Sequence, residues 1–271
     1  MRLNLTPVVK NFLFINVGIF LIQLFMSLPL TQWFGYRYIF AESFQPYQIL
    51  TYMFIHADGW HLFGNMFALF VFGPMLENHL GAKRFFALYM VCGLGAGVLY
   101  GIVNFVEISQ IESALVTFNN SPTPENLHYF INNFTSGYET YRPEYQEEIY
   151  NLVNKNFPAD PTNPQYIAQA KNIIGSYYQM NANMPMVGAS GSIFGILMIF
   201  GLLFPNLQLM LLIPPMPVRA KYLVAFYALY SIYALLERAP GDNVAHLAHI
   251  GGMVFAFILF KAWGLKSDNL M

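Results

Sequence analysis

The chain has 271 residues, of which 56% are hydrophobic and 10% charged, against roughly a quarter charged in an ordinary soluble domain. That balance places it among membrane proteins, and a formal charge of −1 excludes a nucleic-acid binder driven by phosphate neutralisation. One cysteine, Cys92, leaves no intramolecular disulfide and no thiolate metal cage, and reads as a small apolar core residue.

Six apolar segments follow in order, at about Asn11–Leu28, Trp60–Met75, Phe85–Phe105, Met186–Phe204, Tyr222–Leu236 and Val244–Trp263. A bilayer-spanning helix needs ~20 residues; the fifth segment is short, but Lys221 and Glu237 can snorkel from its ends. The first, preceded by Arg2 and Lys10, is long for a signal-peptide core and lacks a small-x-small cleavage site, so it is expected to stay as a span. Basic residues recur before span one, at Lys83-Arg84, at Arg219 and Lys221, and at Lys261 and Lys266, while the short opposite segments offer Arg37 and Arg238. The positive-inside rule then puts both termini in the cytoplasm.

Two further segments stand out. The loop from Pro29 to His56 is rich in aromatic residues, either as an interfacial anchor or as a packed loop. Residues 106–185 form a polar, acidic insert expected outside the cytoplasm. Within it Pro124-Glu125, Pro143-Glu144 and Pro164-Gln165 predict three short amphipathic helices, because proline at a first helical position followed by an acid or amide is a start signal. The chain thus divides into residues 1–105, 106–185 and 186–271.

Spans two, four and six run in one direction and carry polar residues near the same end. Span two has His61 and Asn65, span four Ser190 and Ser192, span six His246 and His249. At 1.5 Å per residue these groups share a depth roughly 5–10 Å below the surface. A neutral buried histidine can take the proton of a serine hydroxyl and so make it a nucleophile. His61 and Asn65, four residues apart, project from one helix face and can donate together to an oxyanion, as can the free N–H groups at the start of the helix bearing Ser190. The flanking Gly188 and Gly191 admit a closely approaching backbone. Glycines serving only helix packing, with Ser190 bonded to a neighbouring backbone, are the plainer explanation of the tetrapeptide taken alone. Asp242, four residues before His246, fits turn or cap chemistry better than a triad acid, and His56 fits a structural loop histidine. The histidines lack the carboxylate cluster of a zinc site, and no metal or cofactor is expected.

Gly188-Ala189-Ser190-Gly191, His61-x-x-x-Asn65 and Ala245-His246 followed by Gly251-Gly252, with the flank Pro46 to His56, resemble the rhomboid family of intramembrane serine proteases. The resemblance covers about residues 11–105 and 186–263. It implies an all-α, six-transmembrane-helix bundle of the bacterial type, in the cytoplasmic (inner) membrane, carrying an extracytoplasmic helical insert. It further implies Ser190 as nucleophile, His246 as general base and acid with His249 as a packed neighbour, and an oxyanion hole of His61, Asn65 and the Ser190 backbone N–H. Its substrates would be single-pass transmembrane proteins, cut within the lipid bilayer; a catalytically silent client-binding protein is the alternative. Glu77 matches a structural family position. Tyr47-Gln48 stands where the family commonly has Trp-Arg, which puts the anchoring of the first loop in question, and Phe194 stands where some members have a tyrosine stacked on the histidine. A transporter is disfavoured by the lack of mid-membrane charge and of repeated spans.

Overall fold

The computed structural model describes residues 5–135, 143–210, 215–237 and 243–267; Arg2, Arg238 and Asp242, named above, lie outside them. Among the described residues the chain is all-α apart from one small hairpin. In order it forms α1 (Pro7–Phe25), the short α2 (Leu30–Phe34) and α3 (Gln48–Thr51), α4 (Gly59–Leu80), α5 (Ala82–Asn120), α6 (Pro124–Phe134), α7 (Pro143–Asn151), α8 (Phe157–Ala159) and α9 (Pro164–Ala182). There follow α10 (Ser190–Leu203), the antiparallel strands β1 (Gln208–Met210) and β2 (Pro217–Arg219), α11 (Ala220–Glu237) and α12 (Asn243–Ala262). Among the described residues three helices, α1, α4 and α5, are long and apolar enough to cross a membrane, and three shorter apolar stretches lie in α10, α11 and α12.

Two compact units emerge, one of residues 1–37, 44–101 and 185–271, the other of residues 38–43 and 102–184. In the first, α10 is apolar all round and buried along most of its length, as a central helix must be. Its neighbours reach it through small residues. Ser192 Oγ donates to the Tyr89 carbonyl of α5 at 2.7 Å, and Gly195 lies against Cys92. On the other side a Cβ on Gly252 of α12 would collide with the Gly191 carbonyl oxygen. Those glycines let the two backbones touch.

Helix α1 has Thr6 at its N-cap but no side-chain cap bond. The free N–H groups find Glu77 instead: Val8 N donates to both carboxylate oxygens at 3.1 Å and Val9 N to Oε2 at 2.9 Å. A buried carboxylate at a helix N-terminus accepts charge-assisted bonds and meets the positive end of the dipole. One side chain near the end of α4 thereby fixes the start of α1, in keeping with a structural role. Phe12 stacks on Tyr89 with centroids 3.8 Å apart, joining α1 to α5.

The second unit has its own core, including Ile108, Ile111, Phe118, Leu127, Phe130, Leu152, Phe157 and Ile174. Three of its helices start at Pro124, Pro143 and Pro164. The Thr123 and Asn163 side chains cap the first and third, accepting from Asn126 N and Gln165 N at 3.3 and 3.0 Å. The expected short helices are not uniformly short, since α9 runs 19 residues. Nor does α5 stop at Phe105. It continues to Asn120, because no glycine or proline interrupts the chain between Gly101 and Pro122.

Two glycine substitutions separate close contact from open space. Gly252→Ala should lower the unfolding free energy by about 3 kcal/mol, the upper end of overpacking costs. Gly175→Ala in α9, where a Cβ meets nothing within 4 Å, should be neutral or stabilising by up to ~1 kcal/mol. Thermal unfolding of the purified variants reads both.

Candidate functional site

Ser190 is the first residue of α10, and no side chain caps that helix. The segment leading into it is pinned by backbone bonds to the aromatic loop. Tyr36 and Met186 exchange N–H···O bonds at 2.9 and 2.7 Å, and Gly188 N donates to the Tyr52 carbonyl at 2.9 Å. Gly188 adopts φ +118°, a conformation that glycine tolerates and L side chains rarely adopt. Ser190 is consequently held at a fixed point, nearly buried, with first-turn N–H groups beside it.

The loop therefore packs inward as well as outward. Tyr36 and Tyr52 are buried whereas Trp33 and Tyr47 are exposed. Gln48, at the position where the family's arginine is common, is buried and clamps the loop: its Nε2 donates to the Trp33 carbonyl at 3.1 Å and its Oε1 accepts from Gln45 N at 3.2 Å. Tyr52, not singled out in the sequence, contributes both its carbonyl to Gly188 and its hydroxyl to the Gly93 carbonyl at 2.5 Å. Both residues lie in the flank Pro46 to His56, and the fold reveals their bonds.

His61 and Asn65 lie on the first turns of α4, whose N-cap Asp58 accepts from His61 N at 2.9 Å. That bond holds the Asp58 carboxyl below its usual range. Both side chains converge on Gly188. A Cβ built there would stand 2.5 Å from His61 Nε2 and 3.8 Å from Asn65 Nδ2. Asn65 is 7% exposed, and its Nδ2 has no hydrogen-bond partner. A buried amide donor left unpaired costs about 1–3 kcal/mol, so its retention beside Gly188 marks a place where an acceptor belongs.

The two histidines of α12 take different surroundings. His249 stacks flat on Phe194, with centroids 3.7 Å apart and planes inclined by 4°. Phe194 lies one turn after Ser190 on the same side of α10. His246 stands edge-on to Tyr230 of α11 at 5.5 Å and to the His249 ring at 5.6 Å. The contact face of α12 explains the difference. The Ala248 carbonyl and Gly252 both abut Gly191, and His249, three residues before Gly252, shares that side, while the His246 ring meets Tyr230 of α11. The ring stack on Phe194 thus falls to His249.

His56 is 1% exposed, neither ring nitrogen has a partner, and its ring meets that of His61 at 5.1 Å. Burial, with His61 alongside, pushes its pKa down to about 3. Among the described residues no group of three or more histidines, cysteines and acids is placed to hold a metal.

Comparison with known proteins finds the Rhomboid domain over residues 43–118 and 166–264. A chloroplast protein of Arabidopsis thaliana, Rhomboid-like protein 11, is 31% identical over 91 residues, covering 33% of this chain and 31% of that protein. Rhomboid protein 1 of Saccharomyces cerevisiae mitochondria is 26% identical over 210 residues, 78% of this chain and 40% of that protein. The chain spans less than half the length of either relative. No solved structure matches significantly.

The buried His56 gives stability a pH dependence. An unfolded imidazole takes up its proton near pH 6.5, the folded one only near 3. Its contribution is therefore complete above about pH 6.5 and drains away as pH falls toward 3. His56→Phe should flatten the fall of melting temperature over that window; an unchanged slope would place the titration elsewhere.

Proposed function

The chain belongs to the rhomboid family, and from that premise we propose that it is an intramembrane serine endopeptidase, cleaving single-pass membrane proteins in or beside their transmembrane segments. The observation that carries the proposal is the unpaired Asn65 amide aimed, with His61, at the backbone just before Ser190.

In this reading Ser190 Oγ attacks the scissile carbonyl carbon while a histidine of α12 takes the hydroxyl proton. The oxygen that becomes negative is met by Asn65 Nδ2, His61 and the Ser190 backbone N–H. Collapse of the tetrahedral intermediate breaks the C–N bond, and the imidazolium returns its proton to the leaving amine. Water then enters and attacks the acyl carbonyl, giving its proton to the same imidazole; the bond to Ser190 Oγ breaks as the imidazolium returns that proton to it, releasing the acid and restoring the hydroxyl. A substrate helix must unwind locally for its carbonyl to reach Ser190, which favours substrates with helix-weakening residues near the cut.

The base is His249. Its ring is held by Phe194 on the Ser190 side of α10, and a general base must be fixed within reach of the proton it takes. The dyad with His246, expected from the resemblance, is the competing assignment; its ring sits between Tyr230 and His249. The proposal extends to topology. Residues 1–105 and 186–271 form the catalytic core, with the start of α1 and the end of α12 on the cytoplasmic face of a bacterial inner membrane. Residues 106–185 lie outside and engage the substrate's extramembrane part.

Cleavage of a single-pass reporter by the reconstituted protein tests these roles. Ser190→Ala and His249→Ala should abolish detectable turnover, and Asn65→Ala should lower kcat about 100-fold. His246→Ala should retain activity within about tenfold, because it removes a neighbour of the base rather than the base. Activity surviving in His249→Ala but lost in His246→Ala would restore the His246 dyad. A folded, inactive unaltered protein would point to the catalytically silent alternative.

A further inference from the structure

The chemistry described lies near one end of the first unit; the other end carries an unspent positive charge. Contacts fix which helix termini meet there. Glu77 joins the end of α4 to the start of α1, and Phe12 stacks on Phe86, bringing the start of α5 alongside. Arg84 lies over the Trp263 ring just past the end of α12, at 5.7 Å. His79 meets Phe204 edge-on at 5.2 Å, bringing in the end of α10, and Lys221 Nζ donates to Asn206 Oδ1 at 3.0 Å, bringing in the start of α11.

Four of those six termini carry cations. Lys10, Lys83 and Arg84 are exposed at the starts of α1 and α5, and Lys261 and Lys266 at the end of α12. Arg219 is exposed on β2, close to Lys221. The acids of the same turns are Glu77, already committed to capping α1, and Asp268, which lies outside the described residues. Several of the cations lie over rings on their own helix: Lys10 over Phe14, Lys221 over Tyr222 and Lys261 over Phe257, at 5.3–5.7 Å. Apolar rings beneath charged heads are the arrangement of side chains that straddle a hydrocarbon–headgroup boundary. The hairpin adds exposed Met210 and Met216 beside Arg219, an apolar edge next to charge as interfacial elements present.

We propose that this end of the unit is a binding surface for anionic phospholipid headgroups, with Arg84 on Trp263 and the neighbouring Lys261 and Lys266 as its strongest corner. Charge complementarity selects the occupant. Phosphate oxygens supply the acceptors that the local acids do not, and acyl chains continue along the apolar helix faces below. Juxtamembrane cations act on anionic lipid at roughly fivefold in affinity per charge. The surface is independent of the catalytic reading and would exist in a silent protein too.

The test is lipid retention by the full chain in nanodiscs, comparing pure phosphatidylcholine with equal parts phosphatidylcholine and phosphatidylglycerol, read by native mass spectrometry. The unaltered protein should carry phosphatidylglycerol in preference to phosphatidylcholine, and the preference should weaken with added salt. Arg84→Gln/Lys261→Gln/Lys266→Gln should reduce it roughly 100-fold. Lys155→Gln/Lys171→Gln, which removes charge from the second unit, should leave it intact. Melting temperature in pure phosphatidylcholine checks the fold, and the charge-keeping Arg84→Lys/Lys261→Arg/Lys266→Arg should hold the lipid should the neutral variant prove unstable. Equal retention of both lipids, or equal loss in the second-unit variant, would overturn the proposal.

Discussion

Where Gly191 meets Gly252, no side chain separates α10 from α12, and the arrangement of the site depends on that contact. Two helices with ordinary side chains at their crossing hold their axes 8–10 Å apart. Removing both Cβ atoms lets the backbones themselves meet and leaves the register little freedom. Once it is set, His249 has one place to go, and Phe194 stacks beneath it. The glycines act through what they permit. A hydrocarbon environment offers little hydrophobic drive between helices, so such close packing is what holds them together.

A second constraint complements the first. The chain entering α10 is fixed by backbone hydrogen bonds to Tyr36 and Tyr52, which places Gly188 against His61 and Asn65 of α4. Ser190 is thus located by loop bonds on one side and by helix contact on the other. Gln48 holds that loop with two neutral hydrogen bonds, which avoids the desolvation cost of burying a charge. Rigidity here serves orientation: a donor such as Asn65 can stabilise developing charge only when it is aimed in advance.

Much of this was legible from residue patterns. The apolar segments and the helix starts at Pro124, Pro143 and Pro164 follow from local chemistry. The choice between histidines, proposed above as His249, was not. Ala-His occurs twice, at residues 245–246 and 248–249, and nothing local distinguishes the copies; only the rotation of α12 against α10 does. The length of α5 was missed for a related reason. Residues 102–120 change from apolar to amphipathic without any break signal, so polarity ends where the helix does not. Tyr52 and Gln48 lie in the flank that carries the resemblance, but their bonds to the Gly93 and Trp33 carbonyls, remote in sequence, were not legible.

In the proposed mechanism the groups around Ser190 accept a tetrahedral acyl intermediate, with His249 as the facing base. Its most direct test is an experimental structure of the protein inactivated by a fluorophosphonate, whose phosphonyl group mimics that intermediate. The expected adduct has phosphorus bonded to Ser190 Oγ, the phosphonyl oxygen within hydrogen-bond distance of Asn65 Nδ2, and the His249 ring closer to Ser190 Oγ than the His246 ring. An adduct whose oxygen points away from Asn65, or one facing His246 across Ser190, would contradict it.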